Sequence, residues 1–328
     1  MNSALIQLRR NPGLPLVVAL AVVLLIVNVV LSPVMLSAGQ LPNTVTLVVP
    51  TVLATMASVP SVMSGRGGLD LSVGPLLGVV NVIVIGDLYA HGLGAAPVAI
   101  PIALLIGIAM GAVNGALVAY GRLQPIVVTL GGYLVLSGLA LVLMPTAVGD
   151  APGWAGWLAG AWLSGYLPRS VILVVVALLV WWGLRREGAL GLILSVGSED
   201  RAAYTSGVRI RRVLVLAYAV GGLFAGIAGI ALTVLIQSGD PLDGTQYTLP
   251  AIAGVALGGN PLTGGRGTIV GPILGAVSLF LIQTLLSTLN VSSLWIQVVY
   301  GLVLLGAICT NATLTRRLTR PVPSGAVA

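Results

Sequence analysis

Every cation of this chain is an arginine, and the fifteen arginines are spread so unevenly that long apolar runs separate them. Between Arg10 and Arg185 only Arg66, Arg122 and Arg169 interrupt the chain, whereas six arginines crowd into residues 185–212. Hydrophobic residues make up 57% of the chain and charged residues 7%, with a mean hydropathy of +1.09. Soluble domains carry about 25% charged residues, so one water-soluble core cannot hide this much apolar surface. The bilayer has to be the solvent, and the few charges mark where the chain leaves it.

A spanning helix needs about 20 mainly apolar residues. The apolar blocks fall at 14–31, 43–63, 70–86, 97–119, 126–145, 170–184, 213–236, 246–258, 268–289 and 294–310. They predict an all-α polytopic membrane protein of about ten transmembrane helices. The third and eighth blocks are short or broken by Gly and Pro, as expected of re-entrant or tilted segments. Barrel strands are excluded, because the blocks are too long and do not alternate apolar with polar residues. The division expected is a cytoplasmic N-terminus over 1–13, a transmembrane permease domain over 14–310 and a cytoplasmic tail over 311–328. The only sizeable inner loop is 185–212.

Counting arginines orients the helices. With the N-terminus and C-terminus in the cytoplasm, fourteen arginines lie inside and only Arg169 outside, a strong positive-inside signal. Asp87, Asp150, Asp240 and Asp243 fall on the outer side. Trp154, Trp157, Trp162 and Trp295 are expected at the outer headgroup level, and Trp181 and Trp182 at the inner one. The net charge of +7 is accounted for by insertion and anionic inner-leaflet lipid, with no nucleic-acid partner. The first block lacks a small-residue cleavage site and reads as an uncleaved helix. Cys309 is the only cysteine, so no disulfide forms within one chain.

The chain repeats itself. Gly67-Gly68-Leu-Asp70-Leu-Ser72-Val-Gly74-Pro75-Leu-Leu-Gly78 is echoed 197 residues later by Gly264-Gly265-Arg266-Gly267-Thr-Ile-Val-Gly271-Pro272-Ile-Leu-Gly275, and Pro50 is echoed by Pro250. Both copies open an inside-to-outside helix, so the repeat is parallel. Glycines four apart recur at Gly107, Gly111 and Gly115, and at Gly222 and Gly226. In lipid such positions let backbones approach. Packing within one chain and a self-association face both fit that spacing, and packing within the chain is the plainer reading.

Within 185–212 the run Ser198 to Gly207 reads as a short helix. Ser198 is expected to cap it, Glu199 and Asp200 to meet the positive end of its dipole, and Gly207 to stop it. Two turns are marginal alone in water, so this helix has to lie against the chain's own inner face or against a partner.

The run Val196-Gly197-Ser198-Glu199-Asp200-Arg-Ala202-Ala203-Tyr-Thr-Ser206-Gly207-Val208 resembles the EAA-like loop of ribose-type permeases. These form the sugar branch of the binding-protein-dependent, branched-chain amino-acid/ribose permeases of bacterial ATP-binding-cassette (ABC) importers. The resemblance extends over residues 45–310. It takes in Gly67-Gly68-Leu-Asp70-Leu-Ser72-Val-Gly74, Gln124-Pro125-Ile-Val-Val-Thr129-Leu130-Gly131, and Leu257-Gly258-Gly259-Asn-Pro-Leu-Thr263-Gly264-Gly265-Arg266-Gly267. Two departures stand out: Asn260-Pro261 replaces the more usual Thr-Ser type pair, and Ser64-Gly65-Arg66 enlarges the turn before Gly67.

The resemblance implies a multi-pass subunit of the bacterial inner membrane. Its loop helix, with Gly197, Ser198, Glu199, Asp200, Ala202, Ala203, Ser206 and Gly207, would dock on a separate ATPase chain that uses ATP and Mg. A periplasmic binding protein would deliver a monosaccharide. Permeases for branched-chain amino acids or nucleosides in the same superfamily are the nearest alternative.

The residues bear on these expectations independently. A phosphate-binding P-loop needs a lysine, and the chain has none, so ATP would have to be hydrolysed elsewhere. Ion-coupled transport usually leaves acids or histidines within the membrane, but all eight acids lie in or beside loops, Asp70 nearest a helix interior. His91 sits in an outer loop. A metal centre, a nucleophile–base pair and paired catalytic carboxylates are all missing, so neither an enzyme nor a resident cofactor is expected. Asn81, Asn114, Thr129, Tyr133, Gln283 and Gln297 are the polar side chains on predicted helices that could face a sugar path. One docking helix per chain further implies two permease chains, identical or related, in the working unit.

Overall fold

The computed structural model describes residues 13–162, 165–292 and 294–318. The expected cytoplasmic extremities, including Arg9, Arg10 and Arg320, thus fall largely outside the described residues.

Each of the ten apolar blocks lies on a helix. These are α1 (Leu14–Leu31), α2 (Leu41–Met63), α3 (Val73–Val82), α4 (Ala96–Ala119), α5 (Pro125–Leu143), α7 (Val171–Arg186), α10 (Ile210–Ile236), α11 (Thr248–Leu257), α12 (Val270–Thr288) and α13 (Leu294–Leu318). Between them stand three shorter helices, α6 (Gly153–Ala159), α8 (Ala189–Ser198) and α9 (Asp200–Thr205). Six helices among the described residues are long and apolar enough to cross a membrane: α1, α2, α4, α5, α10 and α12. The third and eighth blocks carry ten-residue α-helices. The third starts at Val73 and runs on from α3 into a π-helical stretch, Ile83–Tyr89, while α11 has only ten residues.

Layering follows from which helices are apolar all round and buried. In α2 and α10, 78% of the apolar window is buried, against 22% in α1, α4 and α5, so α2 and α10 form the centre and the others present apolar faces outward, as lipid permits. α10 packs on α4, α2 and α3; α11 and α12 pack on each other and on α2; α1 lies on α12 and α13 on α11. Two short antiparallel pairings tie loops together: β1 (Val148–Gly149) with β4 (Ser238–Gly239), and β2 (Ala161–Trp162) with β3 (Leu167–Pro168).

The spaced glycines are spent inside the chain. A side chain on Gly222 would overlap the Gly107 carbonyl and stand 3.1 Å from Gly111 Cα. One on Gly115 would stand 2.8 Å from Val215 Cα. They therefore set the α4–α10 contact and are covered by it. α3 begins at Val73 and α12 at Val270. Gly74 of α3 and Gly275 of α12 both lean on α11. Gly74 and Gly78 face Gly244, and Gly74 also meets Thr248 at the start of α11; Gly275 and Gly258 close the contact between α12 and its end.

Trp181 corrects one expectation. It is buried against Phe224, ring centroids 6.1 Å apart, because the face of α7 that carries it packs inward. Trp182, one residue on, is exposed, with the Arg186 guanidinium 4.2 Å from its ring centroid. His91 is exposed, its Nδ1 2.7 Å from the Asp87 carbonyl oxygen.

Candidate functional site

The segment after α7 is two helices, where the sequence predicted one. Arg185 and Arg186 end α7 in the turn where cations suit the dipole. Gly188, at φ +76°, reverses the chain into α8. Leu190, Ile193 and Val196 bury one face of α8 at helical spacing. Ser198 is the last residue of α8, its hydroxyl donating to the Ser195 carbonyl (3.0 Å). It is not the cap of the next helix: Glu199, extended at φ −159°, ψ 105°, occupies that position with no side-chain cap bond. α9 then starts at Asp200. Its end is as expected, with Gly207 at φ +83°. The Val208 N–H donates to Ala203 O (3.0 Å) and the Gly207 N–H to Tyr204 O (2.9 Å), the paired bonds of a Schellman stop.

α9 lies on the chain's own face through Ala203, which is buried. Arg201, Ala202, Tyr204, Thr205, Ser206 and Gly207 point outward, and Tyr204 is 73% exposed. A surface helix offering an exposed aromatic beside small residues has the form of a docking element. Beside it opens a groove of about 1160 Å³ whose lining includes Arg66, Arg122, Arg209, Arg211 and Arg212. Among the described residues only Arg66 of these has an acidic partner; Arg211 lies over the Tyr120 ring, 5.7 Å from its centroid.

The glycine turns meet the α8–α9 junction. Gly197 packs on the Met63 carbonyl at the end of α2, and a side chain there would also stand 2.9 Å from Gly265 N. The Gly265 N–H donates to Met63 O (3.1 Å). Gly264 rests on Gly65, and a Cβ on Gly265 would stand 2.6 Å from Ser198 Cα. Gly65, Gly67, Gly264 and Gly265 all have positive φ, which suits glycine, and at Gly65, Gly264 and Gly265 the space is closed to a side chain as well. Arg66, at φ +57°, pairs with Asp200, its Nε donating to Oδ2 at 2.6 Å. Gly68 rests on the Ser61 carbonyl, Gly258 on Gly271, and Gly267 beside the Asn260 side chain. Gly259 has φ +81°. The Asn260 amide clamps Thr268 through both its N–H and its carbonyl (3.0 and 2.9 Å). The Arg266 motif turn is thereby held closed at its base.

Asp70 and Ser72 continue the first turn inward. Asp70 Oδ1 accepts from the Ser72 N–H (2.9 Å) and hydroxyl (2.6 Å), and the Ser72 oxygen accepts from Asn114 Nδ2 (2.8 Å). The Thr129 hydroxyl shares its proton between the carbonyls of Leu69 (3.1 Å) and Pro125 (2.9 Å). Asn81 donates to Thr233 Oγ1 (3.0 Å) and Ser238 O (2.9 Å), and accepts from the Asp240 N–H (3.0 Å). Asn81, Asn114 and Thr129 are thus buried and bonded within the chain. Tyr133 is half-buried, and Gln283 and Gln297 are exposed, Gln283 accepting from Tyr300 (2.7 Å). None of these six lines the groove beside α9. In the loop before α11, burial and then neighbouring Asp240 push the Asp243 carboxyl above its ordinary value. Among the described residues no cluster of three or more metal-ligating side chains occurs.

The sequence reading missed Tyr204 and Arg66. Tyr204 was visible as the one aromatic of the short helix; Arg66 was visible only as a departure from the family turn.

Residues 41–308 match the family described as branched-chain amino acid transport system / permease component. The chain is 34% identical over 306 residues to the ribose import permease protein RbsC of Escherichia coli K12, covering 90% of this chain and 92% of that protein. It is 34% identical over 251 residues to the protein of the same name from Bacillus subtilis, covering 74% and 76%. It is also 34% identical over 233 residues to the fructose import permease protein FruF of Bifidobacterium longum, covering 69% and 65%. No solved structure matches.

Proposed function

We propose a role for this chain from one premise: it belongs to the family of branched-chain amino acid transport system permease components, multi-pass proteins of the membrane. It is the transmembrane subunit of an ATP-driven importer and forms the path for a monosaccharide of the ribose, fructose or allose kind. Relatives named for those sugars support this substrate class over a branched-chain amino acid. A periplasmic binding protein delivers the sugar, and a separate ATPase chain docks on α9. The observation that carries the docking is the outward face of α9, with exposed Tyr204 and Ala202 on a helix otherwise seated on its own chain.

All ten apolar helices cross or enter the bilayer, with both termini and α9 in the cytoplasm and the two glycine motifs forming a parallel repeat. Cysteines replacing Leu93, Gly156 and Leu242, each exposed, in a Cys309→Ser background should react with an impermeant thiol reagent added outside. Cysteines replacing Ser198 and Tyr204 should react only after permeabilisation. Outside labelling of Tyr204→Cys would overturn the orientation.

Each chain has one α9 and therefore one docking point for one ATPase domain. Two permease chains, alike or related, build the working unit around a shared path. Native mass measurement of the purified complex should give two permease chains for two nucleotide-binding domains. A transport-competent complex with one permease chain would contradict it.

A further inference from the structure

The turn between α2 and α3 reaches both the outward helix α9 and the buried polar network, and it is packed at both ends. At one end Gly65 lies on Gly197, Gly264 lies on Gly65, and Gly197 lies on Met63, with no space for a β-carbon at any of these contacts. The Gly265 N–H to Met63 O bond (3.1 Å) closes the same junction. Packed backbones of this kind cannot slide past one another without opening voids. At the other end Ser72, bonded to Asp70, accepts from Asn114 on α4, the Leu69 carbonyl accepts from Thr129 on α5, and the Leu71 carbonyl accepts from Thr248 on α11 (3.4 Å). Internal bonds stiffen the middle: Gly68 N–H to Gly65 O (2.9 Å) and Leu69 N–H to Gly67 O (2.7 Å).

Arg66 is the remaining piece. It is a non-glycine residue held in the left-handed region, where side chains other than glycine, asparagine and aspartate are uncommon. Both its Nε and its terminal nitrogen contact Asp200, the first residue of α9. The pair is partly exposed, at 46% and 32%, and a pair this wet adds little stability. Both nitrogens converge on the one oxygen Oδ2, and this contact ties the turn to the start of α9.

We infer that Arg66 and Asp200 are positioning residues of a rigid linkage. The linkage makes α8–α9 and residues 64–72 move as one body, so that displacement of α9 is delivered through Asp70–Ser72–Asn114 to α3, α4 and α5. This rests on the reading of α9 as the ATPase-docking helix. It adds that docking alone moves nothing unless the turn at Arg66 follows.

The test uses the complex reconstituted in liposomes with its ATPase and binding protein. Arg66→Asp should leave the ATPase bound and hydrolysing ATP, yet cut sugar uptake at least about tenfold, and Asp200→Arg should cut uptake as far. The swap Arg66→Asp/Asp200→Arg should restore most of it. An Arg66→Cys/Asp200→Cys protein in the Cys309→Ser background should be impaired until a short bifunctional thiol reagent joins the two positions, and then recover. Single variants that transport normally, a swap no better than the worse single, or uptake that stays low or falls on joining would each overturn the linkage. Failure of the wild-type chain to hold the ATPase would instead overturn the docking reading, and is scored separately by co-purification.

Discussion

Replacing Gly222 by valine lowers the unfolding temperature of the detergent-solubilised chain by about 6–12 °C, whereas Gly138→Val leaves it unchanged. Gly222 is buried where α10 crosses α4, and any side chain there meets the Gly107 carbonyl and Gly111 backbone. Backbone cannot step aside as a flexible side chain can, so overpacking here costs about 3 kcal/mol, the upper end of its usual range. For a chain of this size roughly 2–4 °C follows each kcal/mol. Gly138 is exposed on α5 with nothing within 4 Å of its missing side chain. Equal shifts for the two variants, followed by thermal scanning, would show that the α4–α10 seam is not what the spaced glycines serve.

Tyr204→Asp abolishes the productive meeting with the ATPase, with uptake falling to background. The substitution removes the one exposed aromatic of α9 and places a carboxylate where a partner would have to strip its water. An unpaired charge desolvated in an interface costs several kcal/mol, or more than about a hundredfold in affinity. Ala203→Asp would be a poorer probe, because Ala203 is buried against its own chain, and loss of fold would imitate loss of docking. Tyr204 is exposed, so the variant should insert and melt as the wild type does. Co-purification of the ATPase and uptake by the same preparation are the two readouts. Normal values of both for Tyr204→Asp would remove α9 from the interface.

The parts legible in the sequence were those set by local composition. Apolar runs bounded by arginine gave every main helix, since in lipid a backbone has few alternatives to helix. The glycines of α4 announced close approach but not the partner, because spacing along one helix says nothing of which helix crosses it. α8 is in principle visible, since Leu190, Ile193 and Val196 have its period, but the arginines on either side of it, Arg185, Arg186 and Arg201, mark the whole stretch as one loop. Pairings remote in sequence were not visible at all. Arg66 meets Asp200 across 134 residues, and Asn81 meets Ser238 across 157. For Asn81, Asn114 and Thr129 the polar atoms that suggested a sugar path prove to be hydrogen-bonded within the chain, and only tertiary structure reveals that.

The most direct test of the account is uptake of labelled ribose into liposomes holding this chain, its ATPase and its binding protein. The account predicts uptake that requires all three proteins and ATP, that stops when ATP is replaced by a non-hydrolysable analogue, and that is indifferent to collapse of proton and sodium gradients. Uptake by this chain alone that follows an ion gradient would contradict it.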